Sequence, residues 1–175
     1  MVLSISIEIK EELLKASENA LTRCLRVKTG ESVLVITDEP LRSIGFHLWL
    51  KARELGTEAI YIEMLPRRIH GEEPPKPVAE AMKASDVVIA PTSKSLTHTA
   101  ARVEATKRGA RVATMPGITE DVFVRTMSVD YELVQKLTNI VADILDGGRE
   151  VRVTSALGTD LTFSIEGRKA RRSTG

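Results

Sequence analysis

Six side chains within eight residues could do chemistry: Thr92, Ser93, Ser95, Thr97, His98 and Thr99. They lie in the stretch Val87 to Thr119, VVIAPTSKSLTHTAARVEATKRGARVATMPGIT, where an apolar run of strand length meets a cluster of hydroxyls and one imidazole. Hydroxyls and backbone N–H groups at a helix start hold an anion, phosphate or carboxylate. Ordinary capping accounts for one or two such residues but not for four. The glycines that let a phosphate approach the backbone closely are missing, which weighs against a nucleotide. His98 at a helix start would have its imidazole biased toward the neutral form, able to orient a substrate or accept a proton. The alternative is a surface histidine that caps its own turn. Arg102, one helical turn on, is placed either to grip a substrate carboxylate or to pair with Glu104 or Asp121. Met115-Pro116-Gly117 is a turn, with Pro fixing φ and Gly permitting positive φ or a close approach. No acid is placed to complete a Ser-His-Asp arrangement, and His47, His70 and His98 share no metal-ligand spacing.

These residues need a frame. Leu13, Leu14, Leu21, Cys24 and Leu25 form a helical stripe that starts at Lys10 and ends at Thr29-Gly30. Residues 2–9 alternate at strand period or begin that helix early. Val33 to Ile36 is a buried strand, and Asp38 with Pro40 opens a helix with inward positions Leu41, Ile44, Leu48 and Leu55, closed by Gly56. Strands at Ala59 to Met64, Val87 to Ala90 and Arg111 to Thr114 follow, with helices at Val78 to Ala84 and Thr97 to Arg108 between them. Residues 66–77, PRRIHGEEPPKP, are an irregular loop of a length that suits a lid or a partner contact. Thr119 caps a short helix, and Asp130 opens a longer one with a core stripe of Leu133, Leu137, Ile140, Val141 and Ile144. From Glu150 the period becomes two, with a turn at Leu157 to Asp160, which gives an antiparallel hairpin. The fold class is α/β: a layered α/β/α domain over residues 1–148 with a mainly parallel four-stranded sheet. Residues 149–175, a hairpin and a basic tail, then open a second, truncated domain, because a lone hairpin is marginal in water. In such a sheet the loops after the strands' carboxyl ends bind ligands.

Bulk composition narrows the function. The 175 residues suit one domain and part of another, and 42% hydrophobic residues supply a core. A net charge of +1 gives no general pull toward nucleic acid or anionic membrane, and Arg168, Lys169, Arg171 and Arg172 form the single basic run. No nucleic-acid or membrane partner is expected. Cys24, the sole cysteine, allows no internal disulfide and reads as a small buried hydrophobe in a reducing, cytoplasmic setting. Scarce Asn and Gln beside plentiful Glu, Lys and Arg lean toward a thermophilic source.

Three motifs in series carry a resemblance. They are Ser95-Leu96-Thr97-His98-Thr99-Ala100-Ala101-Arg102, then Arg111 through Met115-Pro116-Gly117-Ile118-Thr119 with Asp121, Phe123 and Arg125, and finally Gly158-Thr159-Asp160-Leu161 with Gly167-Arg168. In this order the chain resembles the amino-terminal part of the thermophilic metallo-aminopeptidases of the aminopeptidase T type, an architecture shared with ring-opening dihydroxypyridine dioxygenases. The resemblance implies a hydrolase that removes amino-terminal residues from a peptide substrate, commonly as a homodimer. It implies divalent metal ions (Zn, Co or Mg) bound on a following domain, with no metal and no catalytic residue within this chain. The substrate-facing set is then Ser93, Ser95, Thr97, His98, Arg102, Met115 and Gly117, one wall of a channel, and the chain alone is expected to be inactive. Two alternatives stand beside this: a relative of the same architecture acting on a small ring compound, and a stand-alone α/β module that binds a small anion.

Overall fold

The computed structural model describes residues 7–172. Most of the expected strand at residues 2–9 lies outside them, and residues 7–10 have no regular structure. Two segments, 33–36 and 87–90, are apolar without alternation, and both lie in central strands. β1 (Ser32–Asp38) and β3 (Val87–Ala90) pair in parallel, flanked by β2 (Glu58–Met64) and β4 (Arg111–Thr114) in the order β2-β1-β3-β4. Every pairing in this sheet is parallel. Successive residues serve opposite faces. Val33, Val35, Val87 and Ile89 meet α1 (Glu11–Asn19), α2 (Arg42–Glu54) and α5 (Glu120–Met127). Leu34, Ile36, Val88 and Ala90 meet α3 (Lys76–Ala84) and α4 (Ala100–Lys107). The architecture is therefore three layers, helices on both faces of a parallel sheet, as expected.

Local chemistry explains where the elements stop. Gly56, at φ 74°, ends α2. Gly45 lets α2 lie on the end of β1, since a Cβ there would stand 2.8 Å from the Thr37 Cβ. α1 departs from expectation. It passes into a π-helical turn, Ala20–Cys24, and the chain reverses at Arg26 (φ 49°), well before Thr29-Gly30. Gly30 serves the next turn instead. Cys24 is half-buried rather than buried.

The chain divides into two compact units, 1–128 and 129–175, so the expected boundary at 148/149 falls inside the second. That second unit holds α6 (Tyr131–Gly147) and an antiparallel hairpin of β5 (Glu150–Thr154) and β6 (Asp160–Ser164). Asp130 caps α6 through the amides of Glu132 and Leu133. The stripe expected to be core is not. Leu133, Leu137, Ile140, Val141 and Ile144 are all between 47% and 69% exposed, and Ala142 is the buried residue of the helix. Periodicity identified an apolar face, but the described residues do not cover it.

Candidate functional site

The strand order makes β1 and β3 neighbours whose connections leave in opposite directions, to β2 on one side and β4 on the other. Loops at their carboxyl ends diverge and leave a crevice, where doubly wound sheets bind ligands. The β1 exit is Thr37-Asp38, and the β3 exit is Pro91-Thr92-Ser93. One contact spans the gap. Asp38 Oδ2 accepts from the Ser93 amide at 2.8 Å and from Ser93 Oγ at 2.6 Å. Asp38 is fully buried and its Oδ1 has no partner in the structure. Expected as the cap of the next helix, Asp38 caps nothing there; a 3-10 turn, Glu39–Leu41, with Pro40 in its first turn leads into α2 without a side-chain cap.

From Ser93 the chain knits to itself. Ser95 Oγ donates to Thr97 Oγ1 at 2.8 Å, and Thr97 Oγ1 lies 2.7 Å from Thr114 Oγ1 at the end of β4. Thr92 Oγ1 donates to the Lys94 carbonyl, and Thr99 Oγ1 to the Leu96 carbonyl. The turn after β4 closes on the same loop: the Met115 amide donates to the Ala90 carbonyl and the Gly117 amide to the Thr92 carbonyl. Gly117 has φ 63°, with the Ser93 carbonyl 3.9 Å from where a Cβ would stand. Met115 reaches inward against the core on the α1 side. Ser93, Ser95, Thr97, Met115 and Gly117 thus share one edge of the sheet. They are joined by Thr114 and by Asp38, which the sequence assigns to a helix cap rather than to the site.

Three expectations change in detail. His98 precedes the helix rather than opening it, since Thr99 is the cap, accepting from the Arg102 amide. Its ring is exposed, and no hydrogen bond or ion pair holds it among the described residues. Arg102 pairs with neither Glu104 nor Asp121. Its Nε donates to the Thr97 carbonyl at 2.7 Å, while Glu104 pairs with Lys107 and Asp121 with Arg125. The amides at the start of α4 are already occupied: Glu73 accepts from Ala100 at 2.5 Å and from Ala101 at 3.1 Å. The loop 65–75 therefore folds back on the β3–α4 loop. His70 Nδ1 accepts from the Ser95 amide, and the Gly71 amide donates to the Ser95 carbonyl. Glu73→Ala is expected to lower stability by about 1 kcal/mol, as loss of an N-terminal carboxylate cap does. Denaturant midpoints check this, together with faster amide exchange at Ala100 and Ala101; unchanged exchange there would count against the clasp.

A second cleft, about 310 Å³, opens at the same edge between Lys10, Glu39, Arg42, Ser43 and Glu120. Its ions are mostly paired. The Lys10 ammonium and the Ser43 hydroxyl hold the Glu120 carboxyl below its ordinary range. Arg42 does the same to Glu63, and burial with the nearby Glu63 charge pushes Tyr61 up to about 12. No group of three or more His, Cys, Asp or Glu able to hold a metal ion occurs among the described residues. His47 is buried with both nitrogens bonded, His70 is tied to Ser95, and His98 stands alone. The described side chains do not fit a metal centre. No helix among the described residues is long and apolar enough to cross a membrane.

An open, doubly wound α/β unit with a hydroxyl-lined rim at its switch point, followed by a helix and hairpin unit, defines the class of this chain. The chain belongs to the NicX, 2,5-dihydroxypyridine 5,6-dioxygenase family, whose model matches residues 12–175. No curated protein matches the chain. Among solved structures it is similar to 2,5-dihydroxypyridine dioxygenase from Pseudomonas putida KT2440, with a TM-score of 0.60 and 17% identity over 90% of this chain and 48% of that one. It is also similar to wild-type AmpT from Thermus thermophilus, with a TM-score of 0.52 and 16% identity over 90% of this chain and 54% of that one. The chain thus spans about half the length of either, and at these identities the likeness establishes the fold. The family matched is the ring-cleaving relative noted beside aminopeptidase T, rather than the aminopeptidase placed first from the motifs.

Proposed function

We propose that this chain is the amino-terminal part of a metal-dependent enzyme that acts on a small hydroxylated ring compound, and that its sheet-edge rim is one wall of the substrate channel. The observation that carries this reading is the family match over residues 12–175, taken with a rim at the switch point of the sheet. The metal that this family implies belongs, in this reading, to polypeptide beyond the present residues. The chain's own part is to orient substrate: Ser93, Ser95 and Thr97 on one loop, Gly117 on the next, and His98 at the outer margin, while Met115 anchors its turn to the core. Removal of amino-terminal residues from peptides is the second reading, favoured by the motif series from Ser95 to Arg168 and by the likeness to AmpT.

The test is an assay of the whole parent protein with divalent metal. Loss of a dihydroxylated pyridine with matching oxygen uptake supports the first reading. Amine release from a leucyl amide without oxygen uptake supports the second and overturns the first, and neither activity overturns both. In the active parent, His98→Ala is expected to lower kcat/KM about tenfold while the thermal midpoint stays put, because surface changes away from structural contacts fall within about 0.5 kcal/mol. A large stability loss with unchanged kinetics would return His98 to a structural role.

A further inference from the structure

The rim was expected, from its hydroxyls and helix start, to receive an anion, but its hydrogen bonds run the other way. A hydroxyl has one proton and two lone pairs. Ser93 commits its proton to Asp38 Oδ2, and Ser95 commits its own to Thr97. Five amides around the rim are committed as well: Ser93 to Asp38, Ser95 to His70, Thr97 to Ser95 Oγ, and the first two of α4 to Glu73. Both serine side chains remain partly exposed, so what they offer to an arriving molecule is lone pairs. Asp38 sets this polarity. Its Oδ2 takes both Ser93 donors, the amide and the hydroxyl, so the Ser93 proton is directed inward. Its Oδ1 lies buried beneath the rim without a partner. A buried carboxylate with one oxygen unsatisfied costs stability, whereas a neutral side chain could tie the loop to β1 without that cost.

We infer that Asp38 and Ser93 determine the chemical class of the ligand: the group that meets this rim is a hydrogen-bond donor, such as a ring hydroxyl or an ammonium, and not a carboxylate or phosphate. The inference rests on the reading of the rim as a substrate wall and adds which pole of the substrate faces it. Asp38 is a positioning residue that acts through Ser93. Lys94, the cation of the loop, is the group that would carry anion binding if that were the true chemistry.

The test uses the parent protein labelled with ¹⁵N and three probes: a dihydroxylated pyridine, its di-O-methyl ether and inorganic phosphate. The diol is expected to shift the Ser93 and Ser95 amide resonances, the ether to bind about tenfold more weakly, which corresponds to one lost hydrogen bond, and phosphate to leave both amides in place. Ser93→Ala should erase the preference for diol over ether. Asp38→Ala should do the same, while Asp38→Asn, whose carbonyl can still accept from Ser93, should retain it. Phosphate shifts that vanish in Lys94→Met, equal binding of diol and ether, or no shift with the diol would each overturn the inference. Diol shifts at Ser93 without turnover of any substrate would overturn the enzymatic reading and leave this one standing.

Discussion

Phe123→Ala is expected to lower the unfolding free energy by about 3–5 kcal/mol, the range for emptying a large aromatic site in a packed core. Phe123 is fully buried and heads the largest fully buried side chains. It is carried by α5, an eight-residue helix capped by Thr119 Oγ1 on the Val122 amide. A helix that short has little stability of its own, so its place depends on what it buries. Phe123 enters the cluster formed by Leu13, Leu21, Val33, Val35 and Leu48, which α1 and α2 also serve. Losing it loosens the helix that follows Met115-Pro116-Gly117, so the rim should loosen with the core. Denaturant unfolding measures the first effect, and amide exchange at Gly117 the second. A loss below about 1 kcal/mol would mean the site collapses around the missing ring.

His47→Leu is expected to cost about 2–3 kcal/mol despite similar bulk, because it leaves polar groups unpaired in a closed setting. The imidazole is fully buried on α2, its Nδ1 2.7 Å from the Ser43 carbonyl and its Nε2 accepting from the Lys10 amide at 2.9 Å. These contacts require the proton on Nδ1. Lys10 is the residue before α1 and supplies no side-chain cap of its own. His47 therefore acts as the cap of α1 from a different helix, 37 residues along the chain. The loss should appear in denaturant midpoints and as faster exchange in the first turn of α1. An unchanged first turn with full stability would show the histidine to be packing alone.

Much of the fold was legible because its signals are local. Val87 to Ala90 is a short apolar run bounded by Asp86 and Pro91, and it is a strand of those limits. The hand of the crossovers follows from repeated strand-helix units, whereas the order β2-β1-β3-β4 rests on pairings between distant segments and was not legible. The end of α1 was not legible, because the reversal falls on Arg26, a residue with no glycine-like signature. Asp38 before Glu39-Pro40 has the local look of a cap, yet its partner is Ser93, 55 positions away. The same holds for Glu73, which sits in a Pro-rich loop and clasps Ala100 and Ala101. Residue type placed the rim, but the direction of each hydrogen bond is set by long-range neighbours. Leu137 and Ile144 show a third limit: helical period reveals an apolar face and says nothing of what covers it.

Trp49 is the single tryptophan of the chain. It lies in the first unit on α2, its Nε1 donating to the Ala59 carbonyl and the Arg53 guanidinium stacked 4.8 Å from its ring centre. Its emission is therefore a private reporter of residues 1–128. Far-ultraviolet dichroism, by contrast, also registers α6, a 17-residue helix in the other unit. Heating curves followed by the two signals should part, with the dichroism losing amplitude in a step that the indole does not record. Superimposed curves would instead mark one cooperative melt. The difference between the two signals isolates the second unit without a label.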